Sequence, residues 1–66
     1  MLVLKITMLE GRTEEKKAEL IQRLTQAAAN HLKEPAGDIR IIIYEVPTEN
    51  WGAGGITIKE RQSKTL

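Results

Sequence analysis

The sequence predicts an α/β (α+β) fold: a single β-α-β protomer with a short C-terminal hairpin, whose parallel strands pair between subunits into larger sheets. Three observations carry this. Residues 2–9, LVLKITML, and residues 38–46, DIRIIIYEV, alternate with the period of two that marks a strand. Between them, apolar residues recur at spacings of three and four, the period of a helix. The third observation is size. The chain has 66 residues and no cysteine. A chain of about 60 residues buries only about 60% of its unfolded surface and commonly leans on disulfides, a metal or partner chains.

In the first strand Leu2, Leu4, Ile6 and Met8 fall on one face, and Val3, Lys5, Thr7 and Leu9 on the other. One face is wholly apolar and the other half apolar, so cover is expected on both sides. Glu10-Gly11-Arg12-Thr13 ends the strand. Thr13 is placed to cap a helix, with Glu14 and Glu15 in the first turn, where the helix dipole favours negative charge. Lys16 stands where a full capping box would need Glu or Gln. The stripe Leu20, Ile21, Leu24, Ala27, Ala28 and Leu32 then predicts an amphipathic helix of about five turns, at about 3.6 residues per turn. Pro35 and Gly37 in KEPAGD stop it.

The second strand places Ile39, Ile41 and Ile43 on one face and Arg40, Ile42, Tyr44 and Val46 on the other, and Pro47 ends it. TENWGAGG is turn-rich, and ITIK reads as one arm of a small hairpin. Within one domain spanning residues 1–66, the polar stretch 59–66 is expected to be a loose tail unless it packs on a neighbour. The crossover between the strands should be right-handed and the strands parallel. One helix covers one sheet face, and a two-stranded sheet is not stable alone. Both points lead to pairing between chains.

Composition narrows the function. Ten basic residues against nine acidic give a net charge of +1, with one Trp and one Tyr. A nucleic-acid binder shows a basic stripe with interleaved aromatics, so no nucleic-acid partner is expected. No apolar run reaches the roughly 18 residues of a membrane span, so no membrane partner is expected. The first residues show no signal-peptide pattern, and a cytoplasmic protein is expected. Without cysteine, and with His31 as the one histidine, a zinc site is not expected. His31 reads as a favourable residue near the helix C-terminus.

Three residues carry the chemistry. Arg12 follows the first strand, Arg40 sits inside the Ile-rich second strand, and Trp51 sits in a Gly-rich turn. Taken singly, Arg12 reads as a surface side chain and Trp51 as a hydrophobic plug at an interface. Arg40 must face water, pair with a Glu of a neighbouring chain, or meet an anion. Taken together, two guanidinium forks and an aromatic wall suit a small dianion, since Arg binds a carboxylate through a bidentate fork.

The motifs LEGRT (9–13), the amphipathic helix, IRIIIYEVP (39–47) and WGAGG (51–55) occur in an order and spacing that resemble the 4-oxalocrotonate tautomerase family, within the tautomerase superfamily. The resemblance covers nearly the whole chain. It implies a β-α-β protomer that pairs into dimers, three of which form a homohexamer with active sites between subunits; hetero-hexamers also occur in the family. It implies proton shifts on enol and 2-oxo carboxylic acids without a metal or cofactor. By the same resemblance Arg12 binds the distal carboxylate of a small carboxylate substrate. Arg40, from a neighbouring subunit, holds the carboxylate and carbonyl end. The backbone amide of Leu9 faces the substrate, and Trp51 walls the site.

The family's base is an N-terminal proline, and the matching position here is Leu2. Met1 is expected to be retained, because the aminopeptidase that removes it requires a small second residue. The catalytic amine is then that of Met1, or of Leu2 if processing occurs. Either is a primary amine, able to act as a general base or to form a Schiff base with an oxo acid. Glu10, Tyr44 and Glu45 are weaker candidates for the base, and Glu10 is expected to pair locally with Arg12. Three readings stay open: a working tautomerase, a non-catalytic carboxylate binder, and a hetero-oligomer subunit that lends Arg40 to another chain's proline.

Overall fold

The structure is a computed structural model that describes residues 1–64. Its frame is a parallel pair of strands, β1 (Leu2–Leu9) and β2 (Ile39–Val46), joined by α1 (Glu14–Leu32). The register runs from Leu2 opposite Ile39 to Leu9 opposite Val46. Glu10 extends it by donating its N–H to the Val46 carbonyl at 3.0 Å. The alternation read from the sequence decides the faces. Leu2, Leu4, Ile6 and Met8, with Ile39, Ile41 and Ile43, are the drier positions, while Val3, Lys5, Thr7, Arg40, Ile42 and Tyr44 are exposed.

The start of α1 is set by Thr13, whose Oγ1 accepts the Lys16 N–H at 3.1 Å. It ends at Lys33, which takes the left-handed conformation at φ 58° and donates its N–H to the Ala29 carbonyl. The packed face of the helix is narrower than the sequence stripe. Leu20, Leu24 and Ala28 are half-buried as expected, joined by Lys17, Thr25 and Ala29, but Ile21, Ala27 and Leu32 are exposed. Two strands about 4.8 Å apart make a ribbon narrower than a helix of about 10 Å diameter. One row of side chains can rest on it, and the flanks of the stripe overhang.

Beyond β2 the chain leaves the frame. A 3-10 turn (Thr48–Asn50) leads through Trp51 to a minimal antiparallel hairpin of β3 (Gly52–Ala53) and β4 (Ile56–Thr57). Gly54 and Gly55 make the turn at φ 65° and 85°, where glycine meets no steric penalty. The stretch expected to be a loose tail is instead a helix, α2 (Ile58–Lys64); residues 65–66 of that expectation lie outside the described residues. The reason is a capping box in TIKE. Thr57 Oγ1 accepts the Glu60 N–H at 3.0 Å, and the Glu60 carboxylate accepts the Thr57 N–H at 3.3 Å and its hydroxyl at 3.1 Å. The ITIK segment is therefore split, half strand and half helix.

The chain alone does not close a core. Among the described residues only Ile39, at 7% exposure, is buried. The accessible surface is 5253 Å², against about 4,200 Å² for a compact monomer of this mass. The radius of gyration is 15.6 Å, against about 11 Å for a compact domain of this length. The principal extents are 46, 24 and 15 Å, and the hairpin and α2 pack on each other and on the Thr48–Asn50 turn, as an arm beside the strand–helix frame. Among the described residues no helix is long and apolar enough to cross a membrane.

Candidate active site

Parallel pairing divides the candidate residues between two ends of the sheet. At one end lie Met1, Leu2 and Arg40: Leu2 pairs with Ile39 and Val3 with Arg40. At the other end lie Leu9, opposite Val46, and Arg12 in the following loop, with Trp51 beyond the end of β2. At about 3.3 Å per residue, the eight residues of β1 put these ends about 23 Å apart. One chain therefore brings Arg40 near Leu2, and Arg12 near Leu9, but does not bring the two groups together.

At the first end Met1 is 86% exposed. Arg40 lies on the face that α1 does not cover, and its guanidinium donates to the Gly37 carbonyl in the turn before β2. At the second end the loop is short and closely held. Gly11 at φ 127° makes the corner, in a region that L side chains rarely adopt. Arg12 Nη1 donates to the Leu9 carbonyl at 3.2 Å. The local ion pair expected between Glu10 and Arg12 is not formed. Among the described residues neither Arg12 nor Arg40 is paired with a carboxylate, and both keep donors for a bidentate anion. Trp51 is half-buried and fixed by its backbone: its carbonyl accepts the Ile58 N–H at 2.8 Å.

Sequence reasoning missed one polar pair. Lys17 Nζ and Glu45 Oε1 meet at 2.5 Å, joining α1 to β2. The signal was present. Glu45 continues the row Ile39, Ile41, Ile43 that faces the helix, and Lys17 continues the packed row of Leu20, Leu24 and Ala28. A carboxylate in such a row calls for a cation opposite. A shallow depression of about 200 Å³ on the flank of α1, lined by Lys16, Glu19, Leu20 and Arg23, contains none of the candidate residues. Among the described residues no three His, Asp or Glu side chains cluster so as to hold a metal ion.

Residues 3–61 match the family model described as tautomerase enzyme. The chain is 44% identical over 55 residues to a 2-hydroxymuconate tautomerase of Comamonas testosteroni, covering 83% of this chain and 87% of that one. Among solved structures it resembles a 4-oxalocrotonate tautomerase homologue (TTHB242) at a TM-score of 0.86 and 50% identity, covering 91% of this chain and 95% of that one. It also resembles a chain of a heterohexamer 4-oxalocrotonate tautomerase from Chloroflexus aurantiacus J-10-fl, at a TM-score of 0.85 and 52% identity, covering 91% and 97%.

Proposed function

Because the chain belongs to the tautomerase family, we propose that it is a cofactor-independent isomerase of enol and 2-oxo carboxylic acids. The substrate class is a small dicarboxylate of the 2-hydroxymuconate kind, the compound in the name of the Comamonas relative. The amine at the start of β1, on Met1 or on Leu2 after processing, takes the proton from the enol and returns it to carbon. Arg40 holds the carboxylate and the oxygen on which negative charge develops, the position where fixed donors lower the barrier most. Arg12 holds the distal carboxylate, the Leu9 amide faces the substrate, and Trp51 walls the site.

The observation that carries this reading is the split of the candidate groups across about 23 Å of strand, at about 3.3 Å per residue, in a chain that leaves a sheet face and an arm uncovered. A small dicarboxylate spans far less than that. A complete site therefore draws its groups from more than one chain, in the homohexamer of three dimers that the family resemblance implies. The test has three parts: the mass of the intact protein, its sedimentation, and ketonisation of 2-hydroxymuconate followed by ultraviolet absorbance. A hexamer whose turnover is lost in Arg40→Ala supports the reading. A monomer, or turnover indifferent to Arg40, refutes it.

A second reading rests on two points: the resemblance sets Leu2 at the place of the family's proline, and one similar structure is a heterohexamer. In this reading the chain lends Arg40 to a partner that carries the proline. Turnover by the purified chain alone excludes it.

A further inference from the structure

One ion pair differs from the others. Lys16–Glu19 and Arg23–Glu19 lie along α1 itself, three and four residues apart, with side chains 44% exposed or more. Lys17 and Glu45 are 28 residues apart in sequence, and their side chains are only 26% and 29% exposed. Surface pairs within a helix hold little in place, whereas a half-buried pair between two elements has few geometries open to it.

Its position gives it a use. Glu45 lies opposite Met8, one residue before the Leu9–Val46 pair that ends the sheet. Lys17 is in the first turns of α1, and its own N–H bonds the Thr13 carbonyl at 3.1 Å. The pair therefore brackets the stretch Leu9–Thr13, which contains the Leu9 amide and Arg12. The hydrogen bonds there do not tie α1 to the sheet. Glu10 N–H to the Val46 carbonyl lengthens the sheet, and the Thr13 cap closes the helix. The remaining packing of α1 on the sheet is made by half-buried apolar side chains, which attract without direction.

We propose that Lys17 and Glu45 are a positioning pair for Arg12. Resting on the tautomerase reading above, the pair fixes the angle at which α1 leaves the sheet, and so the place where the Arg12 guanidinium meets the distal carboxylate. Neither side chain touches substrate. A substrate without a second carboxylate does not use that end of the site. The pair is thus a determinant of selectivity for dicarboxylates over monocarboxylates.

The test compares KM and kcat for 2-hydroxymuconate, a dicarboxylate, with those for phenylenolpyruvate, which has no second carboxylate. Variants are Glu45→Gln, Lys17→Met, Arg12→Ala, the double variant Glu45→Gln/Arg12→Ala, and the charge swap Lys17→Glu/Glu45→Lys, each at matched oligomeric state. Since a misplacement of about 1 Å costs about 100-fold, a smaller tilt of the loop is expected to raise KM for 2-hydroxymuconate about tenfold in either single variant. The KM for phenylenolpyruvate should move by no more than about twofold, and the charge swap should recover most of the loss. Adding Glu45→Gln to Arg12→Ala should cost nothing further, because residues that act as one unit are not additive.

Equal losses on both substrates, or additive losses in the double variant, overturn the proposal and leave a merely structural pair. A wild-type chain that binds 2-hydroxymuconate without turning it over allows the same comparison in Kd. A wild-type chain that neither turns over nor binds either compound contradicts the tautomerase reading, and this proposal falls with it.

Discussion

The two ends of the sheet are built differently. The Arg12 end is made almost wholly from neighbours in sequence: a glycine corner, a threonine cap, a four-residue loop and one ion pair to β2. The Arg40 end is open. Its arginine is tied to the Gly37 carbonyl and its first residue is 86% exposed. One chain can thus preform the end that would bind a distal anion, while the end that would move a proton lacks walls. In the proposed tautomerase the binding geometry is local, and the reacting geometry depends on assembly.

That contrast can be broken in graded ways. The largest effect is expected at the open end. Arg40→Ala removes the donor proposed to face developing charge and should lower kcat/KM by about 100- to 1,000-fold in the enol ketonisation assay. At the closed end Arg12→Ala should act mainly through KM, raising it about 10- to 100-fold for 2-hydroxymuconate, as a lost charge-assisted anion contact does. Gly11→Ala meets no atom within 4 Å but forces a side chain to φ 127°. It should cost about 1–3 kcal/mol in thermal or urea unfolding and raise KM with it. Smallest is Thr57→Ala, which removes the cap of α2. It should cost about 1 kcal/mol, and its effect should be confined to the arm in amide exchange.

Legibility in the sequence follows the same divide between local and distant causes. Period-two alternation gave both strands and their faces, and Thr13 marked the start of α1 through a bond three residues away. Ile21, Ala27 and Leu32 misled because helical spacing reports an apolar arc and not the width of the surface beneath it. The polarity of the last residues hides α2, although Thr57 and Glu60 stand at capping-box spacing. Lys17 and Glu45 are 28 residues apart, and only the strand register sets Glu45 opposite Met8, in the row under the helix. The roles of Met1, Leu2, Leu9, Arg12, Arg40 and Trp51 rest on resemblance, since no local spacing reveals groups that meet across two chains.

The central claim, that Arg12 and Arg40 serve one site from different chains, is tested most directly by complementation. Arg12→Ala and Arg40→Ala chains are unfolded together, refolded as mixed oligomers and assayed beside each variant alone. If sites are shared between chains and mixing is random, about one site in four receives both arginines, and activity returns to about a quarter of wild type. A mixture no more active than the two variants assayed separately would contradict the account.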